Sequence, residues 1–364
     1  MRIAYIINSL EGGGAAFPVP AILSLMRSYG AEVKVFALLR KDGKALLPLQ
    51  QANIPVSIRE GGLKDHLPAL TWLNQQIQNY RPTHLWTSLT RATLLGQLVG
   101  KHRRLPVTSW QHAAYLKPWN LRLLKATKNL SQLWIGDSQR ITALTKQRLG
   151  IPDEKIITWP IFKALPYTKS ARPWQAAETI KVASMGRLHP VKGYDVLIQA
   201  VRCLQQKPSI PPYKIFVYGE GAEHNDLQAL IEQYRLQNYI ELVGFTNDVN
   251  ETLSNHHLYV QPSRSEGFCV AAHEAMQAGL PVIASAVGEL PFSIQNNQTG
   301  LIVPPNDPQA LAEALYSLLS IPNQLYTMGQ TARDKVLNDF STQHFETIGR
   351  NIFDQMNSFT KTYY

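Results

Sequence analysis

Short apolar runs separated by longer polar-faced segments recur along the whole chain. In the first half they fall at Met1 to Asn8, Glu32 to Leu38, His84 to Ser88, Val107 to Gln111 and Leu133 to Ser138. Further on, Lys181 to Met185, Lys214 to Tyr218, Ile240 to Phe245 and Val282 to Ala284 repeat the pattern. Runs of this length read as buried strands, and the intervening segments as helices, which is the rhythm of parallel α/β units. Near the end, Phe345, Ile348, Ile352, Phe353 and Met356 recur at helical spacing within Thr342 to Phe359. No internal repeat or low-complexity tract interrupts this order.

A chain of 364 residues normally folds as two domains. Charge divides it in the same way. Residues 1–175 carry 24 Lys and Arg against 8 Asp and Glu, whereas residues 176–364 carry 12 against 18. A basic half is thus joined to an acidic half, and the Pro-, Ala-, Lys- and Ser-rich stretch from Lys163 to Thr179 reads as the linker. The expected domains are 1–165 and 166–341. Cys203 and Cys269 cannot build a disulfide framework, which suits a reducing cytosol. Ile3 to Ile7 is too short for a signal peptide, and no apolar stretch approaches the ~18 residues of a membrane span. A cytoplasmic location is expected.

The candidate chemistry sits after the strands of the second half. Glu266 and Glu274 flank the start of a helix, read over Phe268 to Met276, that Gly279-Leu280-Pro281 ends. The free N–H groups of such a helix start attract phosphate, and a glutamate further in can reach a sugar hydroxyl. An isolated pair of this spacing is ordinarily a cap and a solvated residue, so its neighbours decide. Arg187 and Lys192 lie in the loop after Lys181 to Met185, where two cations can neutralise a diphosphate or simply be solvated. Gly219-Glu220-Gly221 follows the next run; alone it marks only a tight turn, since a full dinucleotide fingerprint is missing. Glu11-Gly12-Gly13-Gly14 follows the first strand and lets backbone approach a ligand closely. No Asp-x-Asp metal motif is present, and no metal or other cofactor is expected.

The run Glu266-Gly267-Phe268, Glu274-Ala275-Met276, Ala278-Gly279, Pro281 to Ser285 and Gly288 resembles the donor-binding motif of the retaining glycosyltransferases of family 4 (glycosyl transferases group 1), which have the GT-B fold. The match departs at Glu289, where the family usually has a second Gly, and at Phe292, where it has Glu. The resemblance implies an α/β architecture of two Rossmann-like parallel-sheet domains facing a central cleft, with the last helix packing back on the first domain. It implies a nucleotide-diphosphate sugar donor, with UDP-sugar the expected class, and a glycan or lipid-linked acceptor. Arg187 and Lys192 become diphosphate ligands, Glu266 binds sugar hydroxyls and Glu274 the ribose. Gly267, Phe268, Cys269 and Val270 line the donor site, Cys269 also reading as a small packing residue. Gly219, Val243 and Phe245 wall the nucleobase. Gly14 approaches the donor phosphate, although Ala16 and Phe17 stand where the family often continues with Glu-Arg. His112, after Val107 to Trp110, corresponds to a histidine beside the reacting sugar. The catalytic set implied is His112, Arg187, Lys192 and Glu266.

A domain as basic as the first could bind nucleic acid non-specifically, but no nucleic-acid motif is present and none is expected as a partner. Lys117 to Lys128 instead interleaves Trp119, Leu121 and Leu124 with Lys117, Arg122, Lys125 and Lys128. This is either a basic helix lying on an anionic membrane or an ordinary helix with its leucines inward. Two other readings of the same architecture are a sugar-nucleotide epimerase and a non-catalytic sugar-binding protein.

Overall fold

The computed structural model describes residues 1–112, 116–208 and 210–363. Two compact units divide the chain: Met1–Ile161 with the segment from Gln343 onward, and Phe162–Thr342.

Among the described residues, the first unit is built on seven strands, β1 (Arg2–Ile7), β2 (Glu32–Ala37), β3 (Val56–Ile58), β4 (His84–Ser88), β5 (Val107–Gln111), β6 (Leu133–Gly136) and β7 (Ile156–Thr158). They lie in the order β3-β2-β1-β4-β5-β6-β7, every pairing parallel. From Ile3 to Ile7, β1 is buried on both faces, which is why it reads as a continuous apolar run without alternation. The edge strands β3 and β7 escape that pattern because each is three residues long and mostly half-buried. Helix Gln139–Leu149 shows how local chemistry sets element ends: the Ser138 hydroxyl accepts from Ile141 N, and Gly150 closes the helix with a φ of +64°.

Trp86 of β4, Trp110 of β5 and Trp159 form one aromatic cluster, with Trp110 and Trp159 stacked at 5.0 Å between ring centroids. Helix Thr342–Tyr363 completes this unit. Phe345 packs on Trp159 at 4.9 Å, and the Trp159 indole N–H donates to Phe345 O over 3.0 Å. Tyr29 OH donates to Glu346 O, and His84 Nε2 lies 2.8 Å from Met356 O.

The second unit carries β8 (Ile180–Met185), β9 (Tyr213–Tyr218), β10 (Ile240–Gly244), β11 (Leu258–Gln261), β12 (Val282–Ser285) and β13 (Gly300–Val303). Their order is β10-β9-β8-β11-β12-β13, again all parallel. Its core joins β8, β9 and β11 to helices Tyr194–Leu204 and Pro308–Leu319 through Val182, Leu197, Val201, Ile215, Val260 and Leu315.

The stretch expected to be a linker is part of this unit. Ala164 N donates to Phe340 O, Leu165 N to Gln277 Oε1, and Ala171 N to Ala278 O. Arg333 binds the carbonyls of Pro166 and Thr168 at 2.7 and 3.0 Å as well as that of Gln277. A polar, proline-bearing composition reads as linker, whereas here its backbone groups are met by one guanidinium and by the flank of the following helices.

Candidate functional site

In an open parallel sheet, loops at the carboxyl ends of the strands diverge where the strand order reverses, leaving a crevice. In the second unit that reversal lies between β8 and β11. The loop after β8 bears Arg187 and Lys192, and the loop after β11 bears Glu266. Lys192 Nζ and Glu266 Oε1 meet at 2.6 Å, with side-chain exposures of 19% and 9%. The same Oε1 accepts from Ser263 Oγ at 2.6 Å and from Gln261 Nε2 at 3.3 Å. Tyr259 OH donates to Gln261 Oε1 at 2.7 Å and accepts from Met185 N at 3.1 Å, so a buried polar chain runs from β8 through β11 to the carboxylate. Three donors on one oxygen fix the carboxylate before any ligand arrives. Burial is the largest single influence on the Lys192 ammonium and pulls it down, but the Glu266 carboxylate beside it, together with Cys269, leaves it above its ordinary value.

Helix Val270–Gln277 begins just beyond Glu266. Its N-cap, Cys269, is held in the left-handed region at φ +67°, and no side chain caps the helix. First-turn N–H groups without a side-chain cap suit an anion. Phe268 is buried against His273 at 4.0 Å and Phe340 at 5.1 Å between ring centroids, with Phe162 beside them. Its ring therefore belongs to the packing, and only its backbone is left for a ligand. His273 Nδ1 lies 2.9 Å from Cys269 O and Nε2 2.8 Å from Ser293 Oγ, which ties the strained cap to the next helix. Burial lowers the His273 imidazole to about 4, so it is neutral at physiological pH. Glu274 keeps some exposure, yet burial raises its carboxyl to about 7. Among the described residues no donor reaches it, which explains why nothing opposes that rise.

Two glycines bring the loops into contact. At Gly288, with φ +60°, a Cβ would lie 2.4 Å from Gly267 O and 2.7 Å from Glu266 O. At Gly193, with φ +68°, it would lie 2.2 Å from Pro262 O. Gly219, after β9, packs against Gly186 O, and its N–H donates to Gly244 O at 2.8 Å. Val243 and Phe245, at the end of β10, present large apolar side chains to solvent. Arg187 is exposed in the loop after β8.

The other two expected site residues lie in the first unit, also after strands. Gly14 is exposed in the turn following β1, where Gly12 N donates to Asp42 Oδ1 and Glu11 pairs with Lys41. His112 follows β5 and is buried, its ring stacked on Trp110 at 5.4 Å. Its Nε2 lies 2.8 Å from Ser88 Oγ, and its Nδ1 is 3.4 Å from Asp137 Oδ2, an ion-pair distance without hydrogen-bond alignment. Burial raises the Asp137 carboxyl, and the neighbouring His112 only partly counters this.

Residues 169–335, nearly all of the second unit, match the family model described as glycosyl transferases group 1. This unit belongs to that family. The chain is 32% identical over 225 residues to WcaL of Escherichia coli (strain K12), a glycosyltransferase ascribed to colanic acid biosynthesis, covering 59% of this chain and 52% of that relative. It is 32% identical over 175 residues to the amylovoran biosynthesis glycosyltransferase AmsK of Erwinia amylovora, covering 46% and 42%. The chain thus spans about half the length of the curated relatives it matches. Among solved structures, Alr3699/HepE of Anabaena in complex with UDP-glucose superposes with a TM-score of 0.82 at 20% identity, covering 98% of this chain and 100% of that one. The fold is GT-B, with two α/β Rossmann-like units.

Within this glycosyl transferases group 1 unit, the loops after β8, β9 and β11, the end of β10 and helix Val270–Gln277 carry Arg187, Lys192, Gly219, Val243, Phe245 and the stretch Glu266 to Glu274. Sequence reasoning missed Ser263, Gln261 and Tyr259, the polar chain that orients Glu266. The period-two placement of Tyr259, Gln261 and Ser263 along and beyond β11 was a usable signal, since it puts all three on one face of that strand. It also missed His273, and it missed Arg264 and Asp195, which pair across 69 residues of sequence, too far for any local pattern to show.

Proposed function

We propose that the protein is a retaining glycosyltransferase that moves a sugar from a nucleotide-diphosphate sugar to a hydroxyl of a glycan or lipid-linked acceptor in cell-envelope polysaccharide or glycolipid biosynthesis. The observation that carries this reading is the Lys192–Glu266 pair beside a helix start without a side-chain cap, at the switch point of the sheet. A uridine donor is supported by the UDP-glucose complex of HepE, and a polysaccharide pathway by the named roles of WcaL and AmsK.

In this reading the donor diphosphate lies against Arg187, Lys192 and the N–H groups of helix Val270–Gln277. An ammonium has three donors, and Glu266 takes one of those of Lys192. Glu266 receives sugar hydroxyls and Glu274 the ribose, while Val243 and Phe245 cover the base. As the bond from the anomeric carbon to the diphosphate oxygen breaks, its electron pair goes to the diphosphate, where the cations stabilise it. The acceptor hydroxyl attacks from the same face, and its proton passes to the departing diphosphate oxygen. This front-face course retains configuration and needs no carboxylate nucleophile. His112 is proposed, by the family resemblance alone, as the histidine assigned to the reacting sugar. Because side-chain cations and the helix start neutralise the diphosphate, the reaction is proposed to be independent of divalent metal.

Calorimetric titration of UDP, GDP and ADP, and of their hexose and N-acetylhexosamine conjugates, tests the donor site in wild type and Lys192→Ala. Selective binding of one nucleotide, weakened about 100-fold in the variant, is expected from the loss of one preorganised electrostatic contact. No binding by the wild type, or equal binding by the variant, would overturn the assignment.

We also propose that the first unit meets an anionic membrane at helix Pro118–Thr127. Leu124 is fully buried in the core with Trp134 and Leu149, and Leu121 packs against it. Trp119, 65% exposed, and Leu123 face outward instead, beside exposed Lys117, Arg122 and Lys125. Lys128 has a structural partner, since Nζ donates to Gly150 O at 2.8 Å. Arg122→Glu with Lys125→Glu should abolish sedimentation with phosphatidylserine vesicles, and unchanged sedimentation would remove the proposal. Among the described residues no helix is long and apolar enough to cross a membrane.

A further inference from the structure

Arg264, two residues before Glu266, makes more contacts across the switch point than either residue of the Lys192–Glu266 pair. Its Nη1 and Nη2 donate to Asp195 Oδ1 and Oδ2 at 2.8 and 2.6 Å, a two-pronged pairing. Nη1 also donates to Pro190 O at 2.6 Å, and Nε to Asn306 Oδ1 at 2.6 Å. The Arg264 backbone N–H donates to Val191 O at 2.8 Å. Four of these five bonds end on the turn Pro190–Lys192, which carries Lys192, or on the first turn of helix Tyr194–Leu204, which follows it. Gly193 lets the two loops close, since any side chain there would strike Pro262 O.

We infer that Arg264 and Asp195 are positioning residues that hold the loop bearing Lys192 against the loop bearing Glu266, setting where the ammonium meets the donor diphosphate. This rests on the donor site proposed above. The pair is about one-third exposed on each side, so its Coulombic contribution to stability is small. Its value is geometric. A forked guanidinium fixes both orientation and distance, and a lysine in its place could satisfy only part of the set. A displacement of about 1 Å at a charged catalytic group is enough to cost about 100-fold in rate, so the effect belongs in ligand affinity and turnover and not in the melting temperature.

The test uses Arg264→Lys, Asp195→Asn and the double variant. Affinity is measured for whichever of UDP, GDP and ADP the wild type binds best and, by ligand-detected NMR competition, for the matching nucleoside without phosphates. Each single variant should bind the diphosphate at least about tenfold more weakly, because the ammonium is misplaced. Binding of the nucleoside should change less than about twofold, and the double variant should add less than about twofold to the worse single one, as expected of residues acting through one contact. Melting temperatures should stay within about 4 °C of the wild type, in keeping with a surface pair. Equal losses for nucleoside and diphosphate would make the pair a general scaffold and overturn the inference. Loss in Arg264→Lys with none in Asp195→Asn would make Arg264 a direct ligand and overturn it as well. If the wild type binds and Lys192→Ala does not, yet both new variants bind normally, the inference falls and the donor site stands. If the wild type binds no nucleotide, both fall together.

Discussion

Glu274→Gln separates what the site needs from what the fold prefers. The Glu274 carboxyl is largely withdrawn from solvent, has no donor among the described residues, and is raised from 4.5 to about 7. In the unfolded chain it loses its proton from pH 4.5 upward, while the folded chain keeps it to about pH 7. The folded state therefore holds the extra proton across that window, and stability falls as pH rises through it. The rise from 4.5 to about 7 corresponds to about 3 kcal/mol once pH is well above 7. Glutamine keeps the shape and removes the titration. Relative to the wild type, the variant should gain about 2 kcal/mol in stability between about pH 5 and pH 7.5. Urea unfolding at both pH values, followed through the transition of the second unit, measures this difference. A gap between wild type and variant that stays constant to within about 0.5 kcal/mol would refute the argument, because burial would then not be acting on an ionising group. The same substitution should weaken donor binding, since ribose hydroxyls favour the ionised carboxylate as acceptor. Binding of donor to the wild type near pH 7 should accordingly release protons, seen as a buffer-dependent enthalpy, and no release would place the ribose elsewhere.

Gly288→Ala should cost about 1–3 kcal/mol through its left-handed backbone and its contact with the Glu266-Gly267 carbonyls, and should impair donor binding with it; normal affinity in calorimetry would show that the loop yields without consequence. Leu124→Ala should destabilise the first unit by about 2–5 kcal/mol in urea unfolding, whereas Trp119→Ala should stay within about 0.5 kcal/mol, and the reverse order would exchange the buried and exposed faces of that helix. Turnover measured with excess chelator should match turnover with added magnesium, as expected where side-chain cations carry the diphosphate charge, and chelator-sensitive activity would replace that account with a metal-assisted one.

Much of the site was legible because its loops are written in glycines and charges, residues whose roles depend on local backbone and sign. Glu266, Lys192 and Glu274 could be marked in this way. That Lys192 and Glu266 bind each other could not, because one loop follows β8 and the other β11, and only the sheet order makes them neighbours. Phe268 reads as a donor residue, yet an aromatic residue beside a motif gives no sign of which way its ring turns; here Phe162, His273 and Phe340 take the ring inward and leave its backbone for a ligand. The strands β3 and β7 are too short and too partly buried to show a period. The segment after Phe162 has the composition of a linker, and its attachment depends on Arg333, more than 160 residues further along the chain.

The division of the chain also orders events at the ribosome. The second unit is a single uninterrupted stretch, Phe162–Thr342, whereas the first is left open until the segment from Gln343 onward has been made. Until then Trp159 lacks Phe345, and His84 lacks the Met356 carbonyl it meets in the finished fold. Domains fold as units as they emerge, so here the later-encoded unit can reach its native packing first, while the earlier one waits with a tryptophan-lined face uncovered. That face is where a chaperone would be needed, and a premature stop after Thr342 would leave it permanently exposed in a protein whose second unit is already whole.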